Sequence, residues 1–175
     1  MCLREESYVC RRIADVTADD IPGYFRKWHT DKLFIKSAKV AKDACTGLYG
    51  RKEPLPLFQD DLYQISEPLD FKAEWRVFVY KGNIQAIRQY SGRYDELLTQ
   101  SDIQYVKSVL TTIEAGISPK LKAYTLDIGR TSARDIPVVV EVQNFVACGL
   151  YGFEDFVILN MLNAGIERER DSRNS

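Results

Sequence analysis

The chain has 175 residues, 45% of them hydrophobic and 28% charged, enough to bury a core within one domain or one domain of two lobes. Lys plus Arg (24) nearly balance Asp plus Glu (25) for a formal charge of -1, which excludes a generalised phosphate-backbone binder, so no nucleic-acid partner is expected. Four cysteines (Cys2, Cys10, Cys45, Cys148) without C-x-x-C spacing, no apolar leader and no run near the ~20 residues of a bilayer span point to a soluble, cytoplasmic protein with free thiols and no membrane partner.

In chain order, Asp19-Asp20-Ile21-Pro22 reads as a helix start, with Tyr24, Phe25 and Trp28 on one face. Residues 33–35 form a short buried strand ending at Lys36, and 37–59 carry loop signals at Gly47, Gly50, Pro54 and Pro56. Residues 63–66 are extended, and Pro68 then biases Glu67 away from helix. Residues 73–80 and 83–90 flank Lys81-Gly82 as a hairpin. Ser101-x-x-Gln104 resembles a capping box opening a helix that ends near Gly116. Strands follow at 121–129 and 136–145, then a helix over 153–162 with Gly165 near its end. The order implies an α+β arrangement, an antiparallel sheet with helices packed on one side.

Asp127 lies on one of the last two strands. Glu141 and Gln143 lie on the next, sharing a face opposite Val138, Val140 and Val142 by period-two alternation. If Asp127 pairs with Glu141, the turn centres on Arg134 and two carboxylates meet an amide oxygen, a hard-oxygen set that suits magnesium. The same spacing also suits carboxylates on a wet sheet face. Glu74 and Arg76 share a face of the hairpin. A three-residue loop would set Arg76 opposite Arg88 and a two-residue loop would not, leaving phosphate binding and cross-strand charge pairing both open. Lys36, Lys39 and Lys42 could clamp phosphates, but there is no G-x-x-x-x-G-K-[ST] loop.

The segments Leu33-Phe34-Ile35-Lys36, Lys42 with Thr46-Gly47, Glu67-Pro68-Leu69-Asp70 and Glu74-Trp75-Arg76 stand in a telling order. Gly82, Arg88 and Tyr90, Leu126-Asp127-Ile128-Gly129, Glu141-Val142-Gln143-Asn144 and Cys148-Gly149-Leu150-Tyr151-Gly152 continue it. Together they resemble the ATP-grasp superfamily, in particular its small clade similar to glutamate ligases that modify ribosomal proteins. The resemblance implies two small lobes with the nucleotide cleft between them. Residues 1–165 would be a single domain (small lobe about 30–66, large lobe about 67–165), and 166–175 a flexible charged tail.

It also implies roles. Lys36 and Lys42 would contact the phosphates of ATP, and Glu67, Pro68 and Leu69 would form a hinge whose backbone reads adenine, with Glu67 also a ribose contact. Glu74 would join the cofactor set, Arg76 and Arg88 would steady the transferred phosphoryl group and acyl phosphate, and Asp127, Glu141 and Gln143 would hold Mg2+. The implied activity is ATP- and Mg-dependent ligation of a carboxylate to an amine, small molecule or peptide, through an acyl phosphate. Two departures accompany it: Gln143 replaces the usual Asn, and about thirty residues before Leu33 do not supply the N-terminal domain of larger relatives. A partner or second subunit, a homodimer being attractive, would complete the site; alternatively the chain is a nucleotide-binding sensor or partner-binding module without turnover. A cysteine hydrolase using Cys148 and His29 is a third, disfavoured reading.

Overall fold

The computed structural model describes the backbone at residues 10–38, 45–55, 61–116 and 122–173. The chain divides into two compact units, Cys10–Leu69 and one running from Asp70 onward, each with its own four-stranded antiparallel sheet. Among the described residues no helix is long and apolar enough to cross a membrane.

The first unit holds β1 (Ile13–Thr17), α1 (Ile21–Lys27), β2 (Lys32–Ser37), β3 (Gly47–Gly50) and β4 (Leu62–Ser66) in sheet order β1-β4-β2-β3. Alternation along β2 buries Leu33 and Ile35 against Ile65 and Tyr63 of β4, while Phe34 and Lys36 take the other face. Strand β1, within a stretch whose sequence carries mixed signals, pairs with β4 through Ile13↔Ser66 to Thr17↔Leu62. Helix α1 has Pro22 in its first turn and buries Ile21 and Phe25 in the same core.

The second unit orders its strands β6-β5-β7-β8, from β5 (Phe71–Tyr80), β6 (Asn83–Gly92), β7 (Ala123–Thr131) and β8 (Val138–Asn144). Helix α2 (Gln100–Gly116) packs Val106, Val109, Leu110 and Ile113 on Trp75, Val77, Val79, Leu126 and Ile128. Alternation puts Phe78 on the other sheet face, where it meets Phe145, Phe153 and Met161 of the last helix, α3 (Ile158–Arg173). The two helices therefore touch opposite faces of this sheet. Helix α3 starts five residues later than its pattern suggests and runs through Gly165 into the stretch expected to be a flexible tail. Gly165 is no terminator: a Cβ there would lie 2.8 Å from Asn144 Oδ1 and 2.8 Å from Val146 Cγ1, so it marks a close approach of the helix to the end of β8.

The cap of α2 also differs from expectation. Thr99, not Ser101, closes the N-terminus: its N–H and hydroxyl donate to Asp102 Oδ2 at 2.7 and 2.8 Å, and Asp102 N–H donates back to Thr99 Oγ1 at 3.2 Å. This is a reciprocal capping box set two residues earlier, because Asp102 also meets Arg130 at 2.7 Å and is buried. Burial pushes the Asp102 carboxyl up, but Thr99 and Arg130 outweigh it and hold it below the usual carboxylate value. Thr99→Ala is expected to cost about 1 kcal/mol. Urea unfolding should show a lower midpoint with an unchanged slope; an unchanged midpoint would discount the cap.

Candidate functional site

Three bulges build the face that gathers the charged residues. The β5–β6 hairpin turns on Lys81-Gly82, both at positive φ (48° and 74°), a two-residue connection that by itself would offset Arg76 from Arg88. A register shift between Phe78 and Val79 leaves Gln85 as an extra residue and restores Arg76↔Arg88. Pairing of these two arginines thus comes from a bulge and not from a longer loop. A second shift, between Glu74 and Trp75, leaves Tyr90 as an extra residue between Gln89 and Ser91 and turns its ring to the charged face. The third, between Asp127 and Ile128, leaves Val140 extra. Val139 then lies opposite Ile128 in the core under α2, and Val138 shares the carboxylate face, contrary to simple alternation.

The result is one row across four strands, Arg88–Arg76–Asp127–Glu141, each directly opposite the next. Glu74 and Gln143 flank it on the same face. Asp127 is 2% exposed and Arg76 5% exposed. Arg76 Nε donates to Asp127 Oδ1 at 2.8 Å and Nη2 to Oδ2 at 2.7 Å, while Nη1 donates to the Gly149 carbonyl at 3.1 Å. Burial works against the Arg76 charge, but the Asp127 carboxylate more than offsets it and drives the guanidinium pKa further up. Burial pushes the Asp127 carboxyl above its usual value, Arg76 opposes that shift, and Glu141 adds to it. Gln143 Nε2 donates to Glu141 Oε1.

The arginines also fasten the loop 148–152. Besides Gly149, the Gly152 carbonyl accepts from Arg88 Nε at 3.3 Å. The Tyr151 ring stacks on Tyr90 at 5.0 Å, and the Arg76 guanidinium lies 5.1 Å from the Tyr151 ring centre and 5.5 Å from that of Tyr90. Tyr90 Oη donates to Glu74 Oε2 at 3.0 Å, and burial together with the Asp127 and Glu74 carboxylates pushes its pKa far up, so it remains a donor. Tyr90 and Tyr151 have no site role in the sequence reading; an adjacent bulge and a positive φ (47° at Tyr151) place them, and neither has a periodic signature.

The second unit thus brings together Glu74, Arg76, Arg88, Asp127, Glu141 and Gln143. Lys36, Glu67, Pro68 and Leu69 belong to the first unit, Lys36 on β2 opposite Gln64 and the other three after β4. Lys42 lies outside the described residues, as does Lys39. Among the described residues no three His, Cys, Asp or Glu side chains form a metal cluster, so a magnesium site here would use the Asp127–Glu141 pair with the Gln143 amide. That hard-oxygen donor set fits Mg2+, which takes one or two carboxylates and fills its shell with water and phosphate. Asn144 is engaged elsewhere: its amide donates to Gly165 O at 3.3 Å and its oxygen accepts from Val146 N. Cys148 is no activated nucleophile, since burial raises its pKa, and His29 sits in the turn after α1 of the first unit.

Two antiparallel sheets with few helices and a row of acids and arginines on the second are the architecture of an ATP-grasp domain, and this chain has the ATP-grasp fold. It belongs to an ATP-grasp domain family, the second family of its clade, whose model matches residues 8–161. Among solved structures, D-alanine–D-alanine ligase from Bacillus anthracis is similar at TM-score 0.58 and 16% identity, covering 97% of this chain and 66% of that one. The ATP-grasp ligase PsnB, solved with a minimal precursor, Mg and ADP, is similar at 0.58 and 14%, covering 95% and 55%. N5-carboxyaminoimidazole synthetase from Staphylococcus aureus, solved with ADP, is similar at 0.56 and 14%, covering 81% and 41%. The chain therefore spans about two thirds of these proteins' length or less. A search of curated proteins gives no match.

Proposed function

We propose that this domain binds ATP with Mg2+ and catalyses ATP-dependent ligation of a carboxylate to an amine through an acyl phosphate. The observation that carries the reading is the Arg88–Arg76–Asp127–Glu141 row, opposite charges on one sheet face in an ATP-grasp fold. Phosphoryl transfer asks for positioning and charge neutralisation rather than for a nucleophilic side chain, and arginines beside carboxylates supply both. Glu141, with Asp127 and Gln143, is assigned to the metal, and Lys36 and Lys42 to the phosphates. Of the two arginines, exposed Arg88 is assigned to the transferred phosphoryl group, whereas buried Arg76 acts by holding Asp127. The Glu67-Pro68-Leu69 backbone is assigned to the adenine edge. Ligands seen with neighbours of the fold, Mg and ADP with PsnB, are consistent with this cofactor pair.

Calorimetry should detect ATP binding that weakens when Mg2+ is withheld. Lys36→Ala and Glu141→Ala should each weaken it by about tenfold, or 1.4 kcal/mol. Absence of nucleotide affinity at millimolar concentrations in the unmodified protein would end the reading. A second reading, a nucleotide-binding module without turnover, is favoured by Gln143 in the Asn place and by the bidentate hold of Arg76 on Asp127. Phosphate release over a panel of carboxylates and amines separates the two.

A further inference from the structure

The Glu67-Pro68-Leu69 segment leaves β4 under an unusual restraint. Arg12, one residue before β1, reaches across 55 positions to it. Arg12 N–H donates to Glu67 Oε2 at 2.9 Å, Arg12 Nη2 donates to Glu67 Oε1, and Glu67 N–H donates back to the Arg12 carbonyl at 3.2 Å. Nη2 also donates to the Trp28 carbonyl at 2.7 Å, and the guanidinium lies 5.4 Å from the centre of the buried Trp28 ring. Both Glu67 carboxylate oxygens therefore have donors within the protein, and the Arg12 hydrogen bond outweighs burial in holding the carboxyl below its usual value.

Donor accounting gives the consequence for the backbone. Pro68 has no N–H, and the Glu67 N–H is spent on Arg12. Leu69 carries the remaining N–H of the three, next to the carbonyls of Glu67 and Leu69. Adenine offers an amino donor beside a ring-nitrogen acceptor, which an N–H and a neighbouring carbonyl match; guanine inverts that pattern. A segment with one N–H discriminates only if it is held still, and the fork of Arg12 holds it to β1 and to the end of α1.

We propose that Arg12 is a positioning residue that fixes the Glu67-Pro68-Leu69 backbone for the adenine edge, and that the Glu67 carboxylate is its anchor and not a ribose ligand. The proposal rests on the nucleotide-binding reading above. Its test is calorimetry of MgATP, MgGTP and Mg-2′,3′-dideoxy-ATP on the full chain and on Arg12→Ala and Arg12→Lys. The unmodified chain should prefer ATP to GTP. R12A should lose ATP affinity by about tenfold or more with GTP changed less than about twofold, and R12K, keeping charge without the fork, should fall between. Dideoxy-ATP should bind the unmodified chain within about threefold of ATP, since a hydrogen bond from ribose to a charged carboxylate would be worth more than about tenfold. Three results overturn it: ATP affinity unchanged in both variants, equal losses for ATP and GTP, or a tenfold penalty for dideoxy-ATP. No ATP binding by the unmodified chain removes the nucleotide reading itself, whereas ATP binding with R12A and R12K unaffected removes this proposal alone.

Discussion

Arg76→Met is expected to destabilise the domain by about 3–5 kcal/mol, because it leaves a buried carboxylate without its partner. Asp127 is 2% exposed, and Arg76 donates to both of its oxygens. The loss should depend on pH with a definite sign. Burial already holds the Asp127 carboxyl above its usual value, and Arg76 is what pulls it back. Without Arg76 the folded-state pKa rises further, while the unfolded value stays near about 3.9. Between those values the folded chain keeps a proton that the unfolded chain has released, so the variant loses stability as pH rises through that window. Denaturant titrations of R76M should show the larger deficit at about pH 8 and the smaller at about pH 4. The double variant R76M/D127L should recover part of the loss, as an apolar pair needs no charge compensation. Equal deficits at both pH values would show that Asp127 is not the origin of the effect.

Gly92→Ala is expected to cost about 3 kcal/mol, at the upper end for a strained backbone position. Gly92 has φ of 84°, and a Cβ there would lie 2.1 Å from the Lys72 carbonyl oxygen. No side-chain adjustment relieves a clash with backbone. Relief would require β6 to move off β5 next to the bulge that turns Tyr90 to the charged face. Thermal unfolding should therefore show a lower midpoint, and near-ultraviolet circular dichroism a weaker tyrosine signal, from the Tyr90–Tyr151 stack. A midpoint within a degree or two of the unmodified protein would mean that the edge strand yields at little cost.

Legibility in the sequence follows the range of the forces involved. The Asp127↔Glu141 register is readable because the polar turn centred on Arg134 fixes it locally. The hairpin around Lys81-Gly82 is readable for the same reason. The pairing of Arg76 with Arg88 is not, since it depends on an extra residue at Gln85 that no composition signal marks. The facing of Val138 and Val139 is inverted by Val140 in the same way. Strand β1 escapes a sequence reading because Ile13-Ala14-Asp15-Val16-Thr17 lacks clean alternation and gains its place only from β4. The start of α2 reads two residues late because Ser101-x-x-Gln104 imitates the cap that Thr99 and Asp102 form with help from Arg130, 28 positions away. Family resemblance, resting on several segments in order, tolerates all of these local errors.

The loop 148–152 has a further consequence through its attachments. Its two arginine contacts come from residues 73 and 64 positions earlier in the chain, and its aromatic contact from the same hairpin. Contacts of such separation bring back their closure entropy only after β5, β6 and β7 have docked, so the loop is among the last pieces to settle during folding. What settles last opens most cheaply. The backbone that borders the arginine–carboxylate row can thus lift and reclose many times within the lifetime of a sheet that itself stays intact.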